Sequence, residues 1–404
     1  MQHEREKSGE AATAGKTPAV RLSSFYFMYY AALGAFTPYW SLYLKSRGME
    51  VAAISVLMSL WYATRIVAPS TWTTLASRSA HPIRWLHLGC ILTLASFSAF
   101  LLPLGFTGLF AVMCAFCFAY NAVMPQFEAI TLSHLAERSD RYGHIRVWGS
   151  IGFIVVVALY GWLLDRLGVG TLPWLMLPLF VGLLASAYSN HYARTVEEIH
   201  GEHHIGFRAR LRQPQVIAFF VAAFLAQVSF GPYYTFFSIF LTEHGYSTSM
   251  LGVFWTIGVL AEIGVFFLSS HIFRRWDAGK VLMFAMCSAA LRWWVTALWP
   301  DIVPVMVLAQ LTHALTFGAV FAAVMPLLVR FFPGKLNGHG QGVFYGLSSG
   351  VGGVLGALAA GQLWHFGGST AVLVSGCIAL LGAMIAWYWL VRPLKITKRS
   401  AGAT

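Results

Sequence analysis

The chain has 404 residues, of which 58% are hydrophobic and only 10% are charged, and its formal net charge is +12. Average soluble domains carry about 45–50% apolar and about 25% charged residues. So little charge cannot cover the surface of a soluble protein of this length. The composition therefore excludes a soluble enzyme, a disordered chain and a disulfide scaffold, and it predicts a chain whose solvent is lipid.

Long apolar runs predict the elements. A helix that crosses a bilayer needs about 20 mostly apolar residues, because the hydrocarbon core is about 30 Å thick. The runs are continuous, whereas the strands of a transmembrane barrel would alternate apolar and polar residues. We predict twelve helical spans, at residues 21–44, 51–75, 84–104, 107–132, 146–165, 171–190, 214–241, 248–273, 280–299, 303–331, 338–365 and 369–391.

The basic residues predict the orientation of these spans. If the amino terminus is cytoplasmic, only Lys45, Arg47 and Arg166 of the 27 Lys and Arg lie on the outer side. Arg65 and Arg292 fall within spans. This strong positive-inside bias predicts that both termini are cytoplasmic. The net positive charge then reflects topology and contact with anionic membrane lipid, and it requires no nucleic acid.

The second half of the chain repeats the first. FTPY at 36–39 is echoed by FGPY at 230–233, and AVMP occurs at both 122–125 and 323–326. Gly48 and Gly245 precede corresponding spans. Matches in this order predict an all-α membrane protein of two parallel six-helix halves, which is the plan of a major facilitator transporter. In that plan the substrate lies near the midplane, and the halves rock around it.

The longest internal polar stretch separates the two predicted halves. The predicted organisation is a cytoplasmic tail (1–20), a six-helix half (21–190), a cytoplasmic linker loop (191–213), a second six-helix half (214–392) and a cytoplasmic tail (393–404). The glycine-rich eleventh span is not followed by a Gly-Lys-Ser/Thr sequence, so we expect no ATP-driven transport. We also expect no catalytic residues, no cofactor and no metal ion.

A few ionisable residues interrupt the apolar runs, and each is a candidate functional residue because charge is costly in a bilayer. They are Arg65, Glu128, Arg146, Glu262, Arg292 and His313. Arg65 follows Gly48 by 17 residues, and Glu262 follows Gly245 by 17. The repeat therefore predicts that Arg65 and Glu262 lie at equivalent depths in opposite halves and face one cavity.

Two interpretations of these charges are open. Buried ion pairs could hold the helices in register, although such pairs often contribute little net stability. Alternatively, arginines hold an anionic substrate while a carboxylate takes and releases a driving proton. A substrate that competes for an arginine would increase the proton affinity of a neighbouring carboxylate, which is a sufficient coupling mechanism.

Aromatic residues crowd the first and seventh spans, where Tyr29, Tyr30, Tyr233 and Tyr234 are examples. They are read either as lipid contacts or as a stacking surface for an aromatic substrate. Both spans also contain a proline. Pro38 and Pro232 predict a break in each helix at mid-depth, where a cavity could use the freed backbone groups.

Five motifs carry a resemblance: FTPYWS at 36–41, YGHIRVWGS at 142–150, GVLAE at 258–262, FRR at 273–275 and LRW at 291–293. Together they resemble the 3-phenylpropionate permeases of the major facilitator superfamily. The resemblance covers nearly the whole chain apart from the two tails. It implies a proton symporter of aromatic or related monocarboxylates in a bacterial inner membrane, and we expect it to act as a monomer.

The first half also resembles, more distantly, lactose permease and other sugar or nucleoside symporters. Glu128 and Arg146 are similar in type and in their 18-residue spacing to a carboxylate–arginine pair that binds sugar there. Phe153 stands where that family has a stacking tryptophan, which disfavours a sugar.

The second half carries the same distant resemblance. Glu262, Arg292 and His313 are similar to charged residues of that family in spans 8, 9 and 10. Thr316 replaces the proton-carrying carboxylate that the family has three residues after the histidine. The proton role is then expected at Glu262 or Glu128.

The sequence thus predicts a secondary active transporter that imports a small aromatic monocarboxylate with a proton by alternating access. The predicted substrate-binding residues are Arg65, Glu128, Arg146, Phe153 and Arg292, and the predicted proton-coupling residues are Glu262 and His313. Three alternatives remain: proton symport of an uncharged sugar or nucleoside, proton-driven drug efflux, and a non-transporting membrane sensor.

Overall fold

The computed structural model describes residues 18–135, 141–191, 207–334 and 336–392, and these residues form helices and connecting turns without a strand. The predicted tails and most of the predicted linker (1–17, 192–206 and 393–404) lie outside the described residues. The long helices are α1 Ala19–Ser46, α2 Val51–Ser77, α3 Pro82–Leu101, α4 Phe106–Leu135, α5 Tyr142–Leu167, α6 Val169–Tyr188, α7 Pro214–Glu243, α8 Thr248–Arg275, α9 Ala278–Leu298, α10 Val303–Phe331, α11 Leu336–Trp364 and α12 Gly368–Val391. A short helix, Phe207–Leu211, precedes α7.

Within the described ranges, eleven helices, α2 to α12, are long and apolar enough to cross a membrane. Helix α1 coincides with the first predicted span and is 28 residues long, but it is not apolar enough to count among them. Its tyrosines and serines lower its hydropathy, and most of them are buried against protein rather than lipid. A helix that lies inside the bundle can carry polar groups because neighbouring helices satisfy them.

Helix packing repeats between the two halves. Helix α1 packs on α5 and α6, and α3 packs on α4 and α6; α7 likewise packs on α11 and α12, and α9 on α10 and α12. The turns after α1 and α7 share one geometry. Gly48 and Gly245 have φ of 76° and 81°, and the next N–H donates to a carbonyl five residues back at 3.1 Å in both turns. Glycine adopts this left-handed conformation without strain, so the matching glycines of the sequence mark equivalent turns.

The halves meet along two seams, α2 against α11 and α5 against α8. Both seams are tight at the end of the bundle where α1 finishes, which we call the sealed end. A Cβ atom at Gly161 of α5 would lie 2.6 Å from the carbonyl oxygen of Thr248, the first residue of α8. Across the same end, Lys45 forms an ion pair of 2.7 Å with Glu243. We call the other end, where α1 begins, the basic end.

Three inner helices are irregular near mid-depth. Helix α7 is interrupted at Phe230, directly before Gly231 and Pro232. Helix α10 contains a π-helical segment at Ala314–Gly318, and α11 contains one at Phe344–Gly352. π-helical segments are rare and are frequent at functional sites.

The predicted break at Pro232 is confirmed, but the predicted break at Pro38 is wrong, because α1 continues through Pro38. In α7 the proline follows Gly231, and both residue types are poor in a helix interior. In α1 the residue before the proline is Thr37, and the helix is braced on α5, where Gly34 fits against the backbone of that helix. A single proline in a helix that packs closely on its neighbour therefore does not interrupt the helix.

Candidate functional site

In the second half, Arg292 of α9 is held by uncharged groups. It is 3% exposed. Its Nη1 group donates to Nδ1 of His313 at 2.9 Å and to the hydroxyl of Thr316 at 3.3 Å, and its Nη2 group donates to Oε1 of Gln310 at 3.1 Å. Its guanidinium carbon lies 4.5 Å from the ring centroid of Tyr233. No carboxylate among the described residues forms an ion pair with Arg292.

The three partners of Arg292 on α10 share one helix face. Gln310, His313 and Thr316 are three residues apart, and the π-helical segment begins directly after His313. The imidazole of His313 stacks on Phe317 at 5.4 Å between ring centroids. On its other side the ring faces α8, where a Cβ atom at Gly258 would be 3.5 Å from it. The close approach of α8 and α10 therefore places His313 beside the acidic residue of α8.

That acidic residue is Glu262, which reaches the cluster through His313. Its Oε2 atom lies 3.9 Å from Nε2 of His313, and its side chain is 19% exposed. This distance is longer than a hydrogen bond. The sequence-predicted residues Glu262, Arg292 and His313 are thus brought together, with Glu262 at the exposed end and Arg292 at the buried end.

In the first half, Glu128 of α4 and Arg146 of α5 form the pair that the sequence predicts, with 3.8 Å between Glu128 Oε1 and Arg146 Nε. Tyr142 donates its hydroxyl to the same carboxylate oxygen at 3.1 Å. Arg146 also donates to the hydroxyl of Tyr30 and lies 4.1 Å from the centroid of that ring. The side chains of Glu128 and Arg146 are 37% and 31% exposed, so this pair is open to solvent.

Arg65 of α2 differs from the other arginines of the site. It is exposed, it lies 5.1 Å from the ring centroid of Trp61, and its Nε donates to Asn121 at 3.4 Å. Throughout the described part of the chain, no carboxylate forms an ion pair with it, and its two terminal NH₂ groups have no recorded hydrogen-bond partner. Asn121 is itself fixed by a 2.9 Å hydrogen bond to Thr64.

The depth of Arg65 matches that of Glu262. Each is the fifteenth residue of its helix, about 21 Å along the axis from the sealed end at a rise of about 1.5 Å per residue.

The two halves also interact across the space between them. The charges of Arg146 and Glu262 are close enough to interact, and Tyr345 of α11 interacts electrostatically with Arg65. The candidate site is therefore the space between the halves, with arginines mainly on one wall and Glu262 on the other.

The remaining two predicted residues are Arg292 and Phe153. Arg292 lies behind His313 and is buried. Phe153 is partly buried against the core of the first half, and no ring contact or hydrogen bond among the described residues joins its side chain to Arg146. The sequence analysis also missed Gln310 and Asn121. The sequence did contain a signal for both residues: each is an amide side chain inside a long apolar run, where a polar group needs a hydrogen-bond partner.

The described residues contain no group of three or more His, Cys, Asp or Glu side chains that could hold a metal ion. The arrangement offers arginine and aromatic groups that could recognise a ligand, and a carboxylate that could take up a proton.

Comparisons with known proteins identify the family to which the chain belongs. Residues 19–374 match the model of the MFS_1 like family. The chain is 27% identical over 305 residues to a probable 3-phenylpropionic acid transporter of Escherichia coli (strain K12), which covers 74% of this chain and 79% of the relative. It is 25% identical over 358 residues to a maltose permease of Geobacillus stearothermophilus, which covers 85% of this chain and 88% of the relative.

The fold also matches a solved transporter structure. The crystal structure of the nucleoside transporter NupG superimposes with a TM-score of 0.80 at 15% identity, over 92% of this chain and 98% of that one. The predicted major facilitator fold is confirmed. This protein belongs to the MFS_1 like family and is a multi-pass secondary transporter of a small molecule, not an enzyme.

Proposed function

We propose that the protein imports a small aromatic monocarboxylate, of the chemical type of 3-phenylpropionate, together with a proton. The observation that carries this proposal is Arg65, an exposed guanidinium at mid-depth with which no carboxylate of the described residues forms an ion pair. The Escherichia coli relative named as a probable 3-phenylpropionic acid transporter supports the same substrate class.

An uncompensated cation between membrane helices favours an anionic ligand. Charge inside a bilayer is costly unless a counter-charge or water compensates it. The two free NH₂ groups of Arg65 suit a carboxylate, because the planar guanidinium can donate two parallel hydrogen bonds to its oxygens. Asn121 and Trp61 hold the base of the guanidinium and leave its outer edge free.

Aromatic side chains support an aromatic tail on that anion. Tyr345 is 46% exposed and interacts with Arg65 from the second half, and Tyr30 lies against Arg146 in the first half. An aromatic ring in such surroundings can pack in stacked or edge-to-face contacts. We propose that Arg65 binds the carboxylate while Arg146 and Glu128 border the site, and that Arg292 and Phe153 act as buried supports.

Glu262 is the proposed site of the proton. It is the one mid-depth carboxylate of the second half in the described residues, and it faces the same space as Arg146. When Glu262 takes up a proton from this space it loses its charge, which removes the cost of carrying a bare carboxylate through the rocking movement. Substrate and proton together then leave the net charge of the site unchanged.

We further propose the cellular arrangement that the basic residues predict. The basic end faces the cytoplasm of a bacterial inner membrane, both termini are cytoplasmic, and the halves 21–190 and 214–392 move as units about the linker 191–213. The transporter is proposed to act as a monomer surrounded by lipid.

Uptake of labelled 3-phenylpropionate into proteoliposomes with an alkaline interior tests this function. Protein-free liposomes must run in parallel, because the neutral acid crosses lipid unaided. We expect saturable uptake above that control. Arg65→Gln should raise KM at least about tenfold, since a hydrogen bond to a charged group contributes about 1.5–3 kcal/mol. Arg84→Gln, an exposed arginine at the basic end, makes the same chemical change away from the site and should leave KM unchanged.

A second candidate is proton symport of an uncharged sugar or nucleoside. The Glu128–Arg146–Tyr142 network favours it, because it offers both donors and acceptors to hydroxyl groups. The maltose permease relative is in keeping with a sugar substrate. Saturable uptake of maltose or a nucleoside, unaffected by Arg65→Gln and without uptake of the acid, would establish this candidate and exclude the first.

A further inference from the structure

The hydrogen bond between Arg292 and His313 defines which nitrogen of the imidazole carries a proton. A guanidinium can only donate hydrogen bonds, and here its Nη1 group donates to Nδ1 of His313 at 2.9 Å. Nδ1 must therefore be an acceptor without a proton. An uncharged imidazole then carries its proton on Nε2, and Nε2 is the atom that faces Glu262.

Arg292 is not free to turn away from His313. Its other terminal nitrogen donates to Gln310 Oε1, which also accepts the hydroxyl of Tyr233 at 3.2 Å. Two donors on one oxygen identify it as the oxygen of the Gln310 amide. All of these groups are buried, so a turn of Arg292 would leave several polar atoms unpaired.

The surroundings of His313 oppose a positive charge on it. The charged and titratable side chains that face the ring are Arg292 from α9, Glu262 from α8 and Tyr233 from α7. A proton on Nδ1 would point at the Arg292 N–H group, and two cations would then be in direct contact without water. Glu262 lies at the Nε2 side of the ring, 3.9 Å away, and forms no hydrogen bond with it.

From this geometry we infer that His313 stays uncharged through the transport cycle and that Glu262 alone carries the proton. Arg292 and Gln310 are positioning residues that hold the Nε2–H form of His313 toward Glu262. This inference rests on the proposed proton coupling, and it makes His313 a fixed hydrogen-bond donor rather than a group that titrates during transport.

The proton then moves between water in the space between the halves and one Glu262 oxygen, while His313 neither gains nor loses one. When Glu262 is charged, the Nε2–H group can close the present 3.9 Å gap and donate to the carboxylate. When Glu262 is protonated, this attraction weakens and the carboxyl group is released. The imidazole thus stabilises the charged form of Glu262 without competing for the proton.

Two glutamine variants separate the roles of these residues. Glutamine at 313 keeps an N–H donor near the position of Nε2 but cannot titrate. We expect His313→Gln to keep at least about half of the proton-driven accumulation of the parent protein, because no proton passes through the side chain. We expect Glu262→Gln to lose accumulation while it still catalyses exchange of substrate at equal pH on both sides. Loss of accumulation with intact exchange in His313→Gln would overturn the inference.

A second test, NMR spectroscopy of the purified transporter, requires no transported substrate. The ¹⁵N resonances of His313, identified among the 14 histidines by their loss in His313→Gln, report its protonation directly. We expect the Nε2–H form without change between about pH 5 and 8, and titration within that range only when Arg292→Gln removes the neighbouring positive charge. A cationic His313 in the parent protein would overturn the inference. Failure to take up 3-phenylpropionate would overturn the proposed substrate and leave this result standing.

Discussion

At the scale of single residues, the buried cluster around Arg292 combines one cation with several uncharged acceptors. Each acceptor replaces part of the hydration that the guanidinium loses between the helices, so every one of them is costly to remove. Thr316 is the clearest case, because its hydroxyl accepts from Arg292 and also donates to the backbone carbonyl of His313.

Thr316→Val should therefore destabilise the folded transporter by about 1.5–3 kcal/mol, because it removes a hydrogen bond to a charged group while it preserves side-chain shape. The measurement is thermal unfolding of the purified protein in one detergent. Thr370→Val is the matched control, because Thr370 is partly exposed at the start of α12 and its hydroxyl donates to the backbone carbonyl of Phe366 rather than to a charged group. Equal unfolding temperatures for the two variants would contradict an energetic role of the Arg292 contact.

Residue type and depth could be predicted from the sequence, but the direction of a side chain could not. Arg65 and Arg292 are both arginines near the middle of apolar spans, yet one is exposed and the other is 3% exposed. An amphipathic helix of a soluble protein shows its inner face as an apolar stripe. These helices are apolar on all sides, so the pattern does not indicate which face meets the space between the halves.

At the scale of elements, the start of α8 is capped by the other half of the molecule. Asp165, near the end of α5, accepts the backbone N–H groups of Thr248 and Ser249 at 2.8 and 3.0 Å and also their hydroxyl groups. The first N–H groups of a helix lack partners within it, and a negative charge stabilises this end. The contact therefore couples the order of α8 to the closure of the α5–α8 seam.

Asp165→Ala should weaken this seam and shift the transporter toward opening at the sealed end. An N-cap of this kind contributes about 0.5–2 kcal/mol, enough to change the populations several-fold. Spin labels at Glu50→Cys and Ser247→Cys, in a chain without its native cysteines, measure the distance between the halves there. We expect longer distances in Asp165→Ala than in the parent.

Glu243→Gln is the comparison for this experiment. It also breaks a contact across the sealed end, but the Lys45–Glu243 pair is exposed, and such pairs contribute at most about 1 kcal/mol. It should change the distances less than Asp165→Ala. An equal effect of both variants would show that the cap on α8 has no special role.

The observed helices agree closely with the spans predicted from the apolar runs, because length and hydropathy define a span. The span predicted at 51–75 became Val51–Ser77, and that at 107–132 became Phe106–Leu135. The π-helical segments of α10 and α11 had no counterpart in the prediction. They arise where a helix adjusts to its neighbours, as α10 does at His313, and such an adjustment leaves no periodic pattern in the sequence.

At the scale of the whole molecule, the two halves give the bundle approximate symmetry, but its two ends differ. At the sealed end Gly161 fits against the start of α8, whereas toward the basic end Glu128 and Arg146 are solvent-exposed on their inner faces. The internal repeat predicted two similar halves. It could not predict which end is open, because one sequence must form both states of a transporter that works by alternating access.

An impermeant thiol reagent can establish both the open end and the orientation of the chain. Tyr345 is 46% exposed and lies within electrostatic range of Glu128 and Arg65, so Tyr345→Cys, in a chain without native cysteines, should react from the basic end. If the basic residues are cytoplasmic, inside-out vesicles should react at least about tenfold faster than right-side-out vesicles, because the reagent cannot pass the closed seams. Glu50→Cys, exposed in the turn between α1 and α2, should show the reverse preference.

Added substrate should slow the reaction of the cysteine at 345 but not that of the cysteine at 50, since of the two only residue 345 borders the proposed site. Faster reaction at 345 in right-side-out vesicles, with the expected pattern at Glu50, would mean that the resting transporter opens to the outside.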